Sequence, residues 1–166
     1  WGEQIDIAVP TGNFGNILAA FYAKKMGLPI RKLICASNEN NVLTEFLQTG
    51  IYDINKRKLI KTPSPSMDII VASNLERLLY EITKDHELVM RWMRRLKEDN
   101  KFEIDAKTKK MIQEIFYADW VSNSDCLSAI KKVYEESNYL MDPHTAVAQE
   151  VAERYKKKFN DDMPVV

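Results

Sequence analysis

The stretch Val9-Pro10-Thr11-Gly12-Asn13-Phe14-Gly15-Asn16 joins an alternating apolar segment to a helix-forming one, and the reading of that junction decides the fold. Upstream, Ile5, Ile7 and Val9 alternate with Asp6 and Ala8, the period of a strand. Downstream, Ile17 to Met26 holds neither Gly nor Pro and carries Leu18, Phe21 and Tyr22 on one helical face. A helix entered through glycines leaves its first N–H groups unpaired and aimed at the turn, where the positive end of the helix dipole favours an anion. The same Gly-x-x-Gly spacing also suits a tight turn that lets strand and helix pack closely, and the spacing alone does not separate the two readings.

The residues beyond the turn extend this to a βαβ unit. Gly27 and Pro29 stop the helix, and Lys32 to Ala36 read as a strand buried on both faces, as in a parallel sheet. The polar run Ser37-Asn38-Glu39-Asn40-Asn41 follows, at a strand end where open α/β sheets bind ligands, although asparagines there also serve turns and caps. A helix over Val42–Thr49 should end at Gly50, and Thr62-Pro63-Ser64-Pro65-Ser66 should be extended loop. Ser73-Asn74-Leu75-Glu76 has capping-box spacing before a helix. Asp85 should cap a helix from His86 to about Glu98, its basic side solvated. A short strand at Phe102–Ile104, a helix at Asp105–Ile115 and a strand at Phe116–Val121 come next. Ser124 or Asp125 should cap a helix over Cys126–Glu136, and Asp142-Pro143 should start the last, to about Phe159.

Composition narrows the class. The 166 residues balance 24 Lys and Arg against 24 Asp and Glu, so bulk charge advertises neither a nucleic-acid nor a membrane-surface partner. No apolar run approaches the ~20 residues of a membrane helix. Cys35 and Cys126 match no metal or redox spacing and suit a reducing compartment, the cytoplasm. The start at Trp1 and the strand-like Pro164-Val165-Val166 at the other end give the sequence the look of a piece of a longer protein.

Standard phosphate motifs do not describe the turn. No Lys-Ser or Lys-Thr follows Gly15, and Gly-x-x-Gly is too short for a dinucleotide fingerprint. What remains is a small lysine-free cradle of backbone N–H groups with the Thr11, Asn13 and Asn16 side chains. No nucleophilic triad or metal-ligand spacing is present, and the two histidines, His86 and His144, read as a surface and a structural residue.

Five ordered segments, Val-Pro-Thr-Gly-Asn-Phe-Gly-Asn, Ile-Cys-Ala-Ser-Asn-Glu-Asn-Asn-Val-Leu, Thr-Pro-Ser-Pro-Ser-Met-Asp-Ile, Ser-Asn-Leu-Glu-Arg-Leu-Leu-Tyr and Asp-Pro-His-Thr-Ala-Val, resemble threonine synthase, a pyridoxal-phosphate enzyme of fold type II. The likeness runs from Ile5 to Val166. It implies an α/β fold in three layers, a parallel sheet flanked by helices, in which residues 1–166 are one domain from the cofactor-binding part of a larger enzyme, with a helical insertion at about 75–112. It also implies a parent that converts O-phospho-L-homoserine and water to L-threonine and phosphate. By the resemblance, Gly12, Asn13, Phe14, Gly15 and Asn16 hold the phosphate of pyridoxal 5'-phosphate, and Thr145 offers its hydroxyl to the pyridine nitrogen. Oligomeric state is not implied.

The departures limit what carries over. The family's Schiff-base lysine lies in an F-K-D motif upstream of the glycine loop, and this chain holds no such tripeptide, so no catalytic residue is assigned and the chain alone is expected to be inactive. Ala148 stands where many relatives have Gly. Another fold type II lyase, or a lysine-less binding or regulatory homologue, is the competing reading, although Asn13-Phe14 between the glycines argues against the relatives with adjacent glycines. Gly15→Asp is expected to repel the cofactor phosphate and remove a glycine-specific backbone position.

Overall fold

The computed structural model describes residues 2–55 and 57–166. In chain order the elements are β1 (Ile5–Pro10), α1 (Gly15–Lys25), β2 (Ile30–Ser37), α2 (Val42–Thr49), β3 (Ile51–Asp53), a 3-10 turn (Pro65–Met67), α3 (Leu75–Thr83), α4 (His86–Asp99), β4 (Lys101–Glu103), α5 (Ala106–Ile115), β5 (Phe116–Trp120), α6 (Asn123–Ser137) and α7 (Pro143–Phe159). The parallel sheet has the order β1-β2-β5, with Val9 opposite Cys35 and Cys35 opposite Ala118. Beyond β1 the last residues add a further parallel bridge, Asp6 to Val165.

β2 explains the layering. It lies between two strands, so its alternate side chains enter separate cores: Leu33 and Cys35 join Phe14, Phe21, Phe46 and Phe116, whereas Ile34 and Ala36 join Ala146, Val147 and Val151 of α7. Helices therefore cover both faces, the three-layer arrangement expected of an unbroken apolar central strand. A buried Asp6 sits beneath this frame. Its carboxylate receives Arg31 through Nε at 3.0 Å and through a second nitrogen, and accepts the Lys32 N–H at 2.9 Å. Arg31 also pairs with Asp161 past the end of α7, which locks β1, β2 and the chain end together.

Local signals located several boundaries well. Gly50 ends α2 in the left-handed conformation, and Asp85 and Asp142 cap α4 and α7 through their side chains; Asp105, expected inside α5, instead caps it from outside. Others moved. α6 begins three residues earlier than Cys126, because Ser122 caps it and Asp125 completes a capping box from inside the helix. α3 has Asn74, not Ser73, at its N-cap and no side-chain cap bond, while the Asn74 side-chain nitrogen donates to Asn13 O. The segment near Phe102 lies outside the main sheet: β4 pairs antiparallel with β3, and Phe102 stacks on Tyr52 beside Phe46 and Trp92. Among the described residues no helix is long and apolar enough to cross a membrane.

Candidate anion site

Thr11 leaves the end of β1 by donating its amide to Ala36 O at 2.8 Å and its hydroxyl to Val9 O at 2.7 Å. That hydroxyl proton is spent on the backbone, so Thr11 shapes the turn and is not one of the cradle's donors. The sharpest change of direction falls on Phe14, whose φ of 66° and ψ of 13° lie in the left-handed region. A phenylalanine there carries a steric cost of about 1–2 kcal/mol. Its ring is buried, 5.8 Å from that of Phe116, which holds the strained backbone in place.

α1 starts immediately afterwards with no side-chain cap, and its first internal bond is Leu18 N–H to Phe14 O at 3.3 Å. The amides of Gly15, Asn16 and Ile17 therefore have no protein acceptor among the described residues. Such a helix start favours an anion. A cleft of about 400 Å³ opens there, lined by residues 9–17 together with Ser66, Met67 and His144, with no lysine or arginine in its wall. Gly12, Asn13, Phe14, Gly15 and Asn16 are all brought together in it. Thr145 is exposed in a neighbouring cleft, with Ala8, Ala148 and Val165, and Pro10 is common to both.

The glycine requirement lies at Gly12. A Cβ on Gly12 would stand 2.7 Å from Ser66 O and 3.2 Å from Met67 Cα, whereas one on Gly15 would meet nothing nearer than the Asn74 amide nitrogen at 3.6 Å, and Gly15 does not have a positive φ. Contrary to the expectation from sequence, Gly15 is not a glycine-specific position: the left-handed backbone falls on Phe14, and the close approach occurs at Gly12.

Three distant segments fix the walls. Asn74 donates its backbone N–H at 3.1 Å and its side-chain amide at 2.9 Å to Asn13 O, so the turn's carbonyl faces outward. The loop before Asn74 is held by Tyr52, which donates to Ile70 O and accepts from Ala72 N–H, each at 2.9 Å. Burial pushes the Tyr52 hydroxyl up to about 12. On the other side, buried Asn38 donates to Thr62 Oγ1 and Asp68 Oδ1 at 2.8 Å each and to Ser64 Oγ at 3.0 Å. Asn40 adds donors to Ile60 O at 2.8 Å and Asp68 Oδ1 at 2.9 Å. These asparagines at the carboxyl end of β2 thus spend their amides on the 60–68 loop, whose Ser66 backbone closes over Gly12. Neither Tyr52 nor this staple carries a local sequence signal, because each partner lies many residues away.

Comparisons with known proteins follow the same outline. No family model matches the chain. Human threonine synthase-like 1 is 52% identical over 159 residues, a match covering 95% of this chain and 21% of that protein. Among solved structures, PLP-bound threonine synthase from Brucella melitensis superposes with a TM-score of 0.92 at 39% identity, covering 99% of this chain and 34% of that one. Threonine synthase from yeast gives 0.90 at 41% identity, over 95% of this chain and 34% of that one. The chain therefore spans between a fifth and about a third of the length of these relatives.

Proposed function

Since this chain belongs with the threonine synthases, as a homologue of about a third of such a protein, we propose that it supplies the cofactor-phosphate site of a pyridoxal-phosphate-dependent threonine synthase. In this reading the whole enzyme acts on O-phospho-L-homoserine and water, yielding L-threonine and phosphate, in the reducing cytoplasm that suits two free buried cysteines. Residues 1–166 then form part of its cofactor domain, with about 75–112 as a helical insertion.

The observation that carries the proposal is the uncapped start of α1 facing a cleft with no cationic side chain. The residues fit a phosphate: neutral backbone donors and a helix dipole match its charge, and the bare Cα of Gly12 leaves the Ser66 backbone room to form the wall. Gly15, Asn16 and Ile17 would hold the phosphate through their amides, and the Asn13 and Asn16 side chains, at the rim, would add to them. Thr145 would face the ring from the N-terminal turn of α7. A hydroxyl there need not keep a ring nitrogen protonated as a carboxylate would, so Thr145 would set its proton occupancy. Pyridoxal phosphate, when bound, supplies the electron sink for removing protons from the substrate. The chain has no F-K-D segment, so its own residues bind and orient, and the lysine that bonds the cofactor would lie outside them.

The test is a thermal unfolding series with inorganic phosphate, 4'-deoxypyridoxine 5'-phosphate and unphosphorylated pyridoxine. A ligand at a hundredfold its Kd stabilises by about 2.7 kcal/mol, which raises Tm by about 5–10 °C for a domain of this size. Stabilisation by both phosphorylated compounds and not by pyridoxine is expected. Equal responses to all three, or none, would remove the proposal. Incubating the chain with pyridoxal phosphate and O-phospho-L-homoserine should release no threonine.

A further inference from the structure

His144 occupies the first turn of α7, where its sequence context suggests a structural role only. In the fold its Nδ1 lies 2.8 Å from Asp142 Oδ1, and its Nε2 lies 3.2 Å from the backbone N of Ser66. These two contacts determine the protons on the ring. A carboxylate only accepts, so Nδ1 carries the hydrogen; an amide N–H only donates, so Nε2 presents its lone pair. The ring is therefore neutral, in the Nδ1–H form. Asp142 is doubly fixed in turn, because it also accepts the His144 backbone N–H at 2.8 Å as the cap of α7, and the hydrogen bond from the His144 ring holds its carboxyl below the usual carboxylate range.

Ser66 is the residue whose carbonyl closes over Gly12, and its amide is the one His144 receives. The 65–67 turn is thus held at three points: Asn38 on Ser64 before it, Asn38 and Asn40 on Asp68 after it, and His144 at its middle. We propose that His144 is a positioning residue of the anion cleft, a neutral latch that draws the Ser66 turn against Gly12 and sets the cleft's width. The functional half of this inference rests on the cleft being a phosphate site; the latch itself does not. Asp142 faces the ring from its own helix cap, Ser66 from the turn, and behind the helix start the Cys126 thiol of α6 lies 3.5 Å from Pro143 O. A protonated ring could not accept from Ser66, so the latch exists only while His144 is neutral.

The experiment uses the whole chain, 15N-labelled, with His144→Leu and His144→Gln. Long-range proton–nitrogen correlations should show neutral His144 with the hydrogen on Nδ1, and the Ser66 amide should be protected from exchange. Leu removes the acceptor, so Ser66 protection should vanish and inorganic phosphate should bind about tenfold more weakly, the equivalent of one charge-neutral hydrogen bond. Gln places Oε1 near the Nε2 position and should restore both. A ring protonated on Nε2, or Ser66 protection that persists in His144→Leu, overturns the latch, as does equal phosphate affinity in the Leu and Gln variants. If the Leu variant does not fold, the tautomer and the Gln variant still decide. Correct tautomer and exchange results without phosphate binding to the wild type would leave the latch standing and overturn the phosphate reading.

Discussion

Substituting the two glycines of the cradle separately tests the geometry most directly. Gly12→Ala puts a methyl 2.7 Å from Ser66 O and 3.2 Å from Met67 Cα, both backbone atoms, and the former is well inside contact distance. Ser66 cannot swing aside freely, since its amide is bonded to His144 and its neighbours to Asn38. Overpacking of this kind costs about 1–3 kcal/mol, which for a domain of this length lowers Tm by roughly 2–12 °C. Gly15→Ala meets only the Asn74 amide nitrogen at 3.6 Å, an ordinary contact, at a helical residue. There the loss of unfolded-chain freedom should stabilise by about 0.4–1 kcal/mol. Urea unfolding of wild type and the two alanine variants measures both values. If Gly15→Ala proves as damaging as Gly12→Ala, the assignment of the close approach to Gly12 is wrong. Gly15→Asp tests the ligand instead: it should fold, yet lose most of the stabilisation by phosphate.

Three other outcomes follow from the packing. Replacing Asn38 with Leu removes one donor each from Ser64 and Asp68 and leaves the buried Asn40 N–H without its Asn38 Oδ1 acceptor, and should cost about 1–3 kcal/mol in denaturant melts, with faster exchange across residues 60–68. Arg31→Met strands the fully buried Asp6 carboxylate and should cost about 3 kcal/mol. The Arg31 hydrogen bond holds Asp161 below its ordinary value, so that pairing contributes stability above about pH 4 and loses it as pH falls through the lowered value; in acid melts the gap between wild type and Arg31→Met should narrow there by the Asp161 share. Burial pushes the Cys35 thiol up to about 12, so at pH 8 it should resist alkylation in the native chain and react fully in urea.

The βαβ start, the end of α2 at Gly50 and the caps at Asp85 and Asp142 were legible because their causes lie within a few residues of sequence: a period, a glycine, a capping side chain. The cradle was legible as a possible anion site for the same reason. Its walls were not. Asn13 meets Asn74, Gly12 meets Ser66 and Ser66 meets His144 only after the sheet has brought separate loops to one end. The β3–β4 pair was missed in part because three-residue strands show too little alternation, and its stability comes from the Tyr52–Phe102 stack rather than from a pattern. Resemblance to the threonine synthases supplied the expectation that the anion is a cofactor phosphate, which spacing could not.

Phe14 leaves a last consequence. Its backbone favours glycine or asparagine, and its side-chain site favours a large aromatic ring, so no residue type satisfies both demands. Glycine would relieve about 1–2 kcal/mol of strain and forfeit about 3–5 kcal/mol of ring burial. The conflict is settled by the core, and the bend at the mouth of the cleft is therefore an export of the interior: the hydrophobic packing of Phe14 against Phe116 determines where polar amides stand at the surface. Repacking around Phe116 should thus be felt by an anion that never touches it.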